Sequence, residues 1–159
     1  MEVGVKTDIG KVREINQDAY YISADEGPLF IVADGMGGHK AGEIASNMAV
    51  DIISSDLGKD MNFLELDDKE IQNRIKQSIG KANQEIYKKS LEDEGFAGMG
   101  TTVTLIYIKG KKVFIGHVGD SRAYLFRENT LAQLTEDHSL VEELIRNGSI
   151  SREEAKLHP

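Results

Sequence analysis

The sequence contains no cysteine. That removes a disulfide framework, a thiolate metal site and a cysteine nucleophile together. Proline occurs only twice, and 40% apolar with 29% charged residues is the composition of a globular chain, not a disordered one. No apolar run approaches membrane-spanning length, and the opening "MEVGVKTDIG" lacks the basic-then-apolar pattern of a secretory signal. The expectation is a cytoplasmic protein without membrane insertion. Positive charge is scarce as well: 19 Lys and Arg stand against 27 Asp and Glu, for a net charge of −8. A field of that sign opposes nucleic acid and anionic membrane, so no nucleic-acid partner is expected. Lys76, Lys81, Lys88 and Lys89 are the only candidates for a basic patch, and they share an expected helix with acids at its start, which reads as a solvated face. Repeats, low-complexity tracts and linkers are absent, and 159 residues suit one domain with a substantial core.

What is present reads as strands, then two helices, then strands. "EVGVKT" alternates, and "DAYYIS" and "PLFIVA" follow as further strands, with Glu26-Gly27-Pro28 turning between the last two. From Ala41 to Leu57 the period becomes helical, with Ile44, Ala45, Met48, Ala49, Ile52 and Ile53 on one stripe. After the connector 58–68, a long helix is expected over 68–91, facing Ile71, Ile75, Ile79, Ala82 and Ile86 inward. Asp67 and Glu70 have the spacing of a capping box. A flexible loop is expected over 92–100. "TTVTLIYI" and "KVFIGHV" then form a strand pair turned by "KGKK", "RAYLF" and "LAQL" continue the β pattern, and Ser139 with Glu142 and Ser151 with Glu154 open two short helices. Strand and helix do not alternate as in a parallel doubly wound sheet. Antiparallel sheets with helices on an outer face fit, an α+β layering.

The chemistry concentrates at "DGMGGHKAGE" (34–43), where an acid and three glycines follow the apolar run "LFIVA". A dinucleotide turn would need glycine at position 40, which is Lys40, and a Walker loop would need Gly-Lys-Ser/Thr, which "HKA" does not supply. An isolated Asp-Gly is ordinarily a turn initiator. Here two further acids also sit at strand ends, Asp18 in "NQD" and Asp120 in "GDSR". Acids at the ends of separate strands can converge at one rim of a sheet. Oxygen donors without cysteine suit a hard cation, Mg²⁺ or Mn²⁺. A glycine beside the acid lets a backbone carbonyl approach such an ion.

"REINQD" (13–18), "VADGMGGHKAGEIAS" (32–46), "GMGTTV" (98–103), "HVGDSRAY" (117–124) and "LTEDHSLV" (134–141) occur in that order. Together they resemble the metal-dependent serine/threonine phosphatases of the protein phosphatase 2C type, especially the bacterial ones, over nearly the whole chain. The resemblance implies a four-layer α-β-β-α sandwich of two antiparallel sheets flanked by helices. It implies hydrolysis of phosphoserine and phosphothreonine on proteins, the targets of a cognate serine/threonine kinase, by a water activated between two Mn²⁺ or Mg²⁺ ions. By that resemblance Asp34 bridges the two ions, the Gly35 carbonyl ligates one, Asp18 holds metal-bound water, and Asp120 serves a weaker third ion. Arg13 grips the phosphate with its two-pronged guanidinium. His39 protonates the leaving serine or threonine oxygen, a task imidazole can perform near neutral pH. His117 and His138 receive no metal role and read as a strand residue and part of a turn.

Two rivals come from other classes. "GDS" also resembles the esterases named for a Gly-Asp-Ser-Leu nucleophile motif, but here Arg122 follows the serine, the motif stands at 119, and no Asp-x-x-His occurs. Nor does "GDSRA" make a G-x-S-x-G elbow around Ser121. The second rival is a catalytically incomplete fragment or pseudophosphatase acting as a binding or regulatory module. The resemblance implies two further aspartates, in Asp-Gly and Asp-Asn motifs, whereas the only Asp-Gly here is Asp34-Gly35 and Asp-Asn does not occur. On this reading residues 1–159 are the N-terminal part of a single catalytic domain, lacking the C-terminal strands, and "AKLHP" stands inside a segment resembling the family's flap.

Overall fold

Alternating apolar residues over two neighbouring segments make a sheet edge, and the switch to a helical period directly after it lays a helix back across that sheet. The computed structural model describes residues 1–23, 28–38, 41–58 and 65–138. The chain forms two compact units, Met1–His117 and Val118–Pro159. In the first, β1 (Asp18–Ser23) pairs antiparallel with β2 (Leu29–Met36). Two helices follow, α1 (Ala41–Leu57) and α2 (Asp68–Ser90), then the two-residue β3 (Gly100–Thr101), β4 (Val103–Lys109) and β5 (Lys112–Val118). The sheet order is β1-β2-β4-β5, with β3 pairing β2 beyond the start of β4.

Both helices pack on one face of this sheet. Leu29, Ile31 and Ala33 of β2, with Leu105 of β4, meet Ala45, Ala49 and Ile53 of α1 and Ile71, Ile75 and Ala82 of α2 in one core. Leu29, Ile31, Ile53, Ile71 and Leu105 are almost wholly out of water. Each such side chain stabilises the fold by about 1.5–3 kcal/mol. Because side chains alternate across a strand, Tyr20, Val32 and Met36 point away from the helices and are exposed. Asp18 and Asp34 share that face. α2 begins at the expected capping box: the Asp67 carboxylate accepts from the Glu70 N–H at 2.8 Å, and the Glu70 carboxylate accepts from the Asp67 N–H at 2.8 Å.

In the second unit, β6 (Tyr124–Arg127) and β7 (Thr130–Gln133) form an antiparallel hairpin. Glu128 and Asn129 turn it at φ 51° and 58°, the paired positive φ that matches strand twist in a two-residue loop. Two antiparallel sheets with helices make the chain α+β, as expected.

Three differences from expectation have physical causes. Residues 2–7 are not a strand: Val3 and Val5 are exposed, and alternation forms no ladder without a neighbouring edge to take its backbone bonds. β2 does not stop before its acid but runs on through Asp34, Gly35 and Met36, because β3 supplies a partner for Gly35 and Met36. The segment 92–100 carries a 3₁₀ turn, Glu94–Phe96, with the Asp93 carboxylate accepting from the Gly95 N–H at 2.7 Å. Glu26 and Gly27 of the expected turn, and the helices opened by Ser139 and Ser151, lie outside the described residues.

Candidate active site

The rim of the first sheet is built from backbone first. Asp18 opens β1 and stands directly opposite Asp34 of β2 in the ladder. Cross-strand partners have Cβ atoms about 4.5–5.5 Å apart, and like charges so placed destabilise the pair. Both acids are exposed, so the arrangement favours a cation between or above them. Asp18 is fixed locally: its N–H donates to Asn16 Oδ1 at 3.1 Å, and its Oδ2 accepts from Thr7 Oγ1 at 3.1 Å. Asn16 Nδ2 donates in turn to Thr7 Oγ1 at 2.8 Å.

Beyond Asp34 the chain turns into α1 through glycines, and two of them are sterically required. A Cβ at Gly35 would stand 2.0 Å from the Gly42 carbonyl oxygen, and one at Gly42 would stand 2.9 Å from the Gly35 carbonyl carbon. The first turn of α1 is thus in backbone-to-backbone contact with the residue after the acid. Gly37 has φ +144°, outside the range comfortable for other residues. Gln17 ties this corner to β1: its carbonyl accepts from the Gly35 N–H at 3.0 Å, and its Nε2 donates to the Gly37 carbonyl at 3.4 Å. On the other side of β2, Thr102 contacts Asp34 twice, through Asp34 N–H to Thr102 Oγ1 at 3.0 Å and Thr102 N–H to the Asp34 carbonyl at 2.9 Å.

The expected site residues distribute as follows. Asp18, Asp34 and Gly35 meet at the rim. Arg13 lies exposed in the irregular segment before β1. His39 lies outside the described residues. Asp120 belongs to the second unit, in the bend after β5, where it is exposed. That bend is held by its own unit: the Gly119 carbonyl accepts from the His138 N–H at 2.7 Å, and the Arg122 guanidinium grips Asp137 through Nε at 2.8 Å and Nη2 at 2.5 Å. The hydrogen bonds that the guanidinium donates, to Asp137 first and to Tyr124 second, raise the Arg122 pKa above its ordinary value. His117 is a β5 residue with Nδ1 2.9 Å from Thr104 Oγ1. Among the described residues no three or more His, Cys, Asp or Glu side chains gather into a metal-holding cluster. The two-acid rim with its bare glycine therefore fits part of an oxygen-ligated divalent-cation site. Gln17 and Thr102 both stood within recognisable motifs, but nothing in the sequence assigned either of them a task.

Comparison with known proteins gives this geometry its family. The protein phosphatase 2C model matches residues 11–153. The chain is 44% identical over its whole length to the serine/threonine phosphatase stp of Listeria welshimeri, of which it covers 63%. It superposes on the serine/threonine phosphatase of S. agalactiae with a TM-score of 0.86 at 43% identity, covering 97% of this chain and 63% of that one. A PstP catalytic domain solved in complex with two manganese ions is similar with a TM-score of 0.76 at 33% identity, over 94% of this chain and 61% of that one. The chain belongs to the protein phosphatase 2C family. It spans less than two thirds of the length of these relatives, 63% of the Listeria protein. No helix among the described residues is long and apolar enough to cross a membrane.

Proposed function

We propose that the protein containing this chain hydrolyses phosphoserine and phosphothreonine on proteins, and that residues 1–159 are the N-terminal part of its single catalytic domain. The observation that carries this reading is the in-register pair Asp18–Asp34 beside a glycine corner that only bare backbone can fill. Two opposed carboxylates alone repel a phosphate; bound Mn²⁺ or Mg²⁺ would reverse the sign of the charge it meets. Asp34 is assigned to both of two ions, Gly35 to one through its carbonyl, and Asp18 to the hydration of the pair, with Asp120 holding a weaker third. When bound, the ions supply a water of lowered pKa and neutralise phosphate charge. Arg13 is assigned to the phosphate oxygens, which its exposed guanidinium is free to approach. His39 is assigned to the leaving hydroxyl, donating the proton that an alkoxide needs to depart. The manganese-bound PstP relative supports the choice of metal. The proposed setting is cytoplasmic, with substrates supplied by a cognate serine/threonine kinase.

The test is p-nitrophenyl phosphate hydrolysis by the complete protein, with and without Mn²⁺, in the parent and in Asp34→Asn. Loss of one ligand charge from a bridging position is expected to lower metal-dependent turnover by about 100-fold or more, in line with the several kcal/mol a metal contributes to transition-state stabilisation. Asp34→Asn turning over at more than a few per cent of the parent rate overturns the bridging role.

A further inference from the structure

We propose that Thr102 is a positioning residue for the Asp34 carboxylate, setting the acid through a hydroxyl that stands in for a backbone carbonyl; this rests on the metal-site reading of Asp34. β2 pairs with β4 from Leu29↔Tyr107 to Val32↔Thr104, and with β3 at Gly35↔Thr101 and Met36↔Gly100. Both stretches keep one register, so Thr102 stands opposite Asp34 in the gap between β3 and β4. A hydrogen-bonded pair in an antiparallel ladder normally exchanges two backbone bonds. Here one is ordinary, from the Thr102 N–H to the Asp34 carbonyl at 2.9 Å. The reciprocal bond is not: the Asp34 N–H donates to Thr102 Oγ1 at 3.0 Å. The Thr102 carbonyl accepts instead from Thr101 Oγ1 at 2.9 Å.

A single residue thus holds both backbone groups of the acid. Opposed residues in a ladder project to the same face, so the Thr102 side chain lies on the face that carries the carboxylate. On its far side Asp34 faces Asp18, the group that repels it. Thr102 therefore sets the Asp34 backbone on this side of β2, as the Gly35 N–H to Gln17 carbonyl bond sets the next residue on the other. Valine matches threonine in shape but offers no acceptor, and would leave the Asp34 N–H to find one by shifting the strand. Serine keeps the acceptor.

The experiment measures Mn²⁺ binding to the complete protein by titration calorimetry for the parent, Thr102→Val, Thr102→Ser and Asp34→Asn. Partners that orient metal ligands typically contribute about 10- to 100-fold in affinity. Thr102→Val is expected to weaken Mn²⁺ binding by about that factor, with KM for p-nitrophenyl phosphate at saturating Mn²⁺ unchanged, and Thr102→Ser to bind within about threefold of the parent. Rescue by serine assigns the effect to the hydroxyl, and a loss of folding stability in Thr102→Val with Mn²⁺ affinity unchanged would mark a purely structural role and overturn the proposal. Thr102→Val binding like the parent while Asp34→Asn loses Mn²⁺ overturns the positioning role alone. Parent-like binding in both variants overturns the metal reading of Asp34 and the inference with it. Amide hydrogen exchange on the unsubstituted protein gives a check independent of whether Thr102→Val folds. The Asp34 N–H is expected to be protected, and exchange at the rate of an exposed loop amide overturns the bond on which the proposal stands.

Discussion

The two helices of the first unit are built on opposite principles. α1 buries Ala41, Gly42, Ala45, Ser46 and Ala49 along its first half, a strip of small residues that lets its backbone touch the β2 corner. α2 buries isoleucines at Ile71, Ile75 and Ile86 and turns a charged face outward, where Lys81 meets Asp56 and Lys88 meets Glu85, both at 2.6 Å. α2 starts from a complete capping box, whereas α1 starts from the glycine corner itself, with the Ala41 N–H donating to the Gly38 carbonyl at 3.1 Å. The difference separates two duties. α2 is held by bulk burial and its own termini, so it tolerates change locally. α1 is held by close approach to the residue beside Asp34, so its packing and the proposed metal rim are one structure.

The largest effect that would test this separation comes from Gly35→Ala. The added methyl would meet the Gly42 carbonyl oxygen at 2.0 Å, and a backbone atom cannot swing aside as a side-chain end can. Overpacking costs about 1–3 kcal/mol where side chains can adjust; here α1 has to move bodily, so a loss of at least about 3 kcal/mol is expected, at the top of that range. Urea unfolding of the complete protein measures it, and Mn²⁺ titration should show weaker binding alongside. A stability loss below about 1 kcal/mol, the floor of the overpacking range, would mean that α1 is free to slide and the two duties are not joined.

How much of this was legible beforehand depends on whether the cause is local. The bounds of α1 were readable from a change of period, and the capping box of α2 from two acids three residues apart, because both are decided within a single turn of chain. The pairing of Asp18 with Asp34 was only an expectation that acids at strand ends converge; the ladder supplies the register. The helical period of α1 marks too narrow a stripe. Ile44, Met48 and Ile52 are only partly buried, while Ala41, Val50 and Leu57 are buried, because the helix packs on both the sheet and α2. The task of Thr102 was invisible for a different reason. Its partner is 68 residues away, and the hydroxyl matters only because the ladder turns one carbonyl aside. The "EVGVKT" alternation shows the converse failure, a correct local pattern without a neighbour to complete it.

On the α2 side the expected effects are smaller and fall in order. Asp67→Ala removes the acceptor of the Glu70 N–H and half of the capping box. It should cost about 1 kcal/mol in thermal or urea unfolding, the usual worth of an N-cap, and leave Mn²⁺ affinity unchanged because nothing at the rim moves. A parallel loss of metal binding would show that α2 also sets the rim. Lys88→Ala is expected to do least. Its partner Glu85 lies one turn away, and the lysine and glutamate side chains are 66% and 43% exposed. Water and salt screen such a pair to about 0–1 kcal/mol at most, and alanine's better helix propensity offsets part of even that. The expected change is within about 0.5 kcal/mol, in the range of exposed helix pairs, and it should shrink further as salt is raised. A loss of 2 kcal/mol or more, about twice what an exposed pair contributes, would mean that the charged face of α2 is covered in the complete protein rather than solvated. The contrast between a helix fitted to the rim and one merely buried on the sheet would then need a second contact surface.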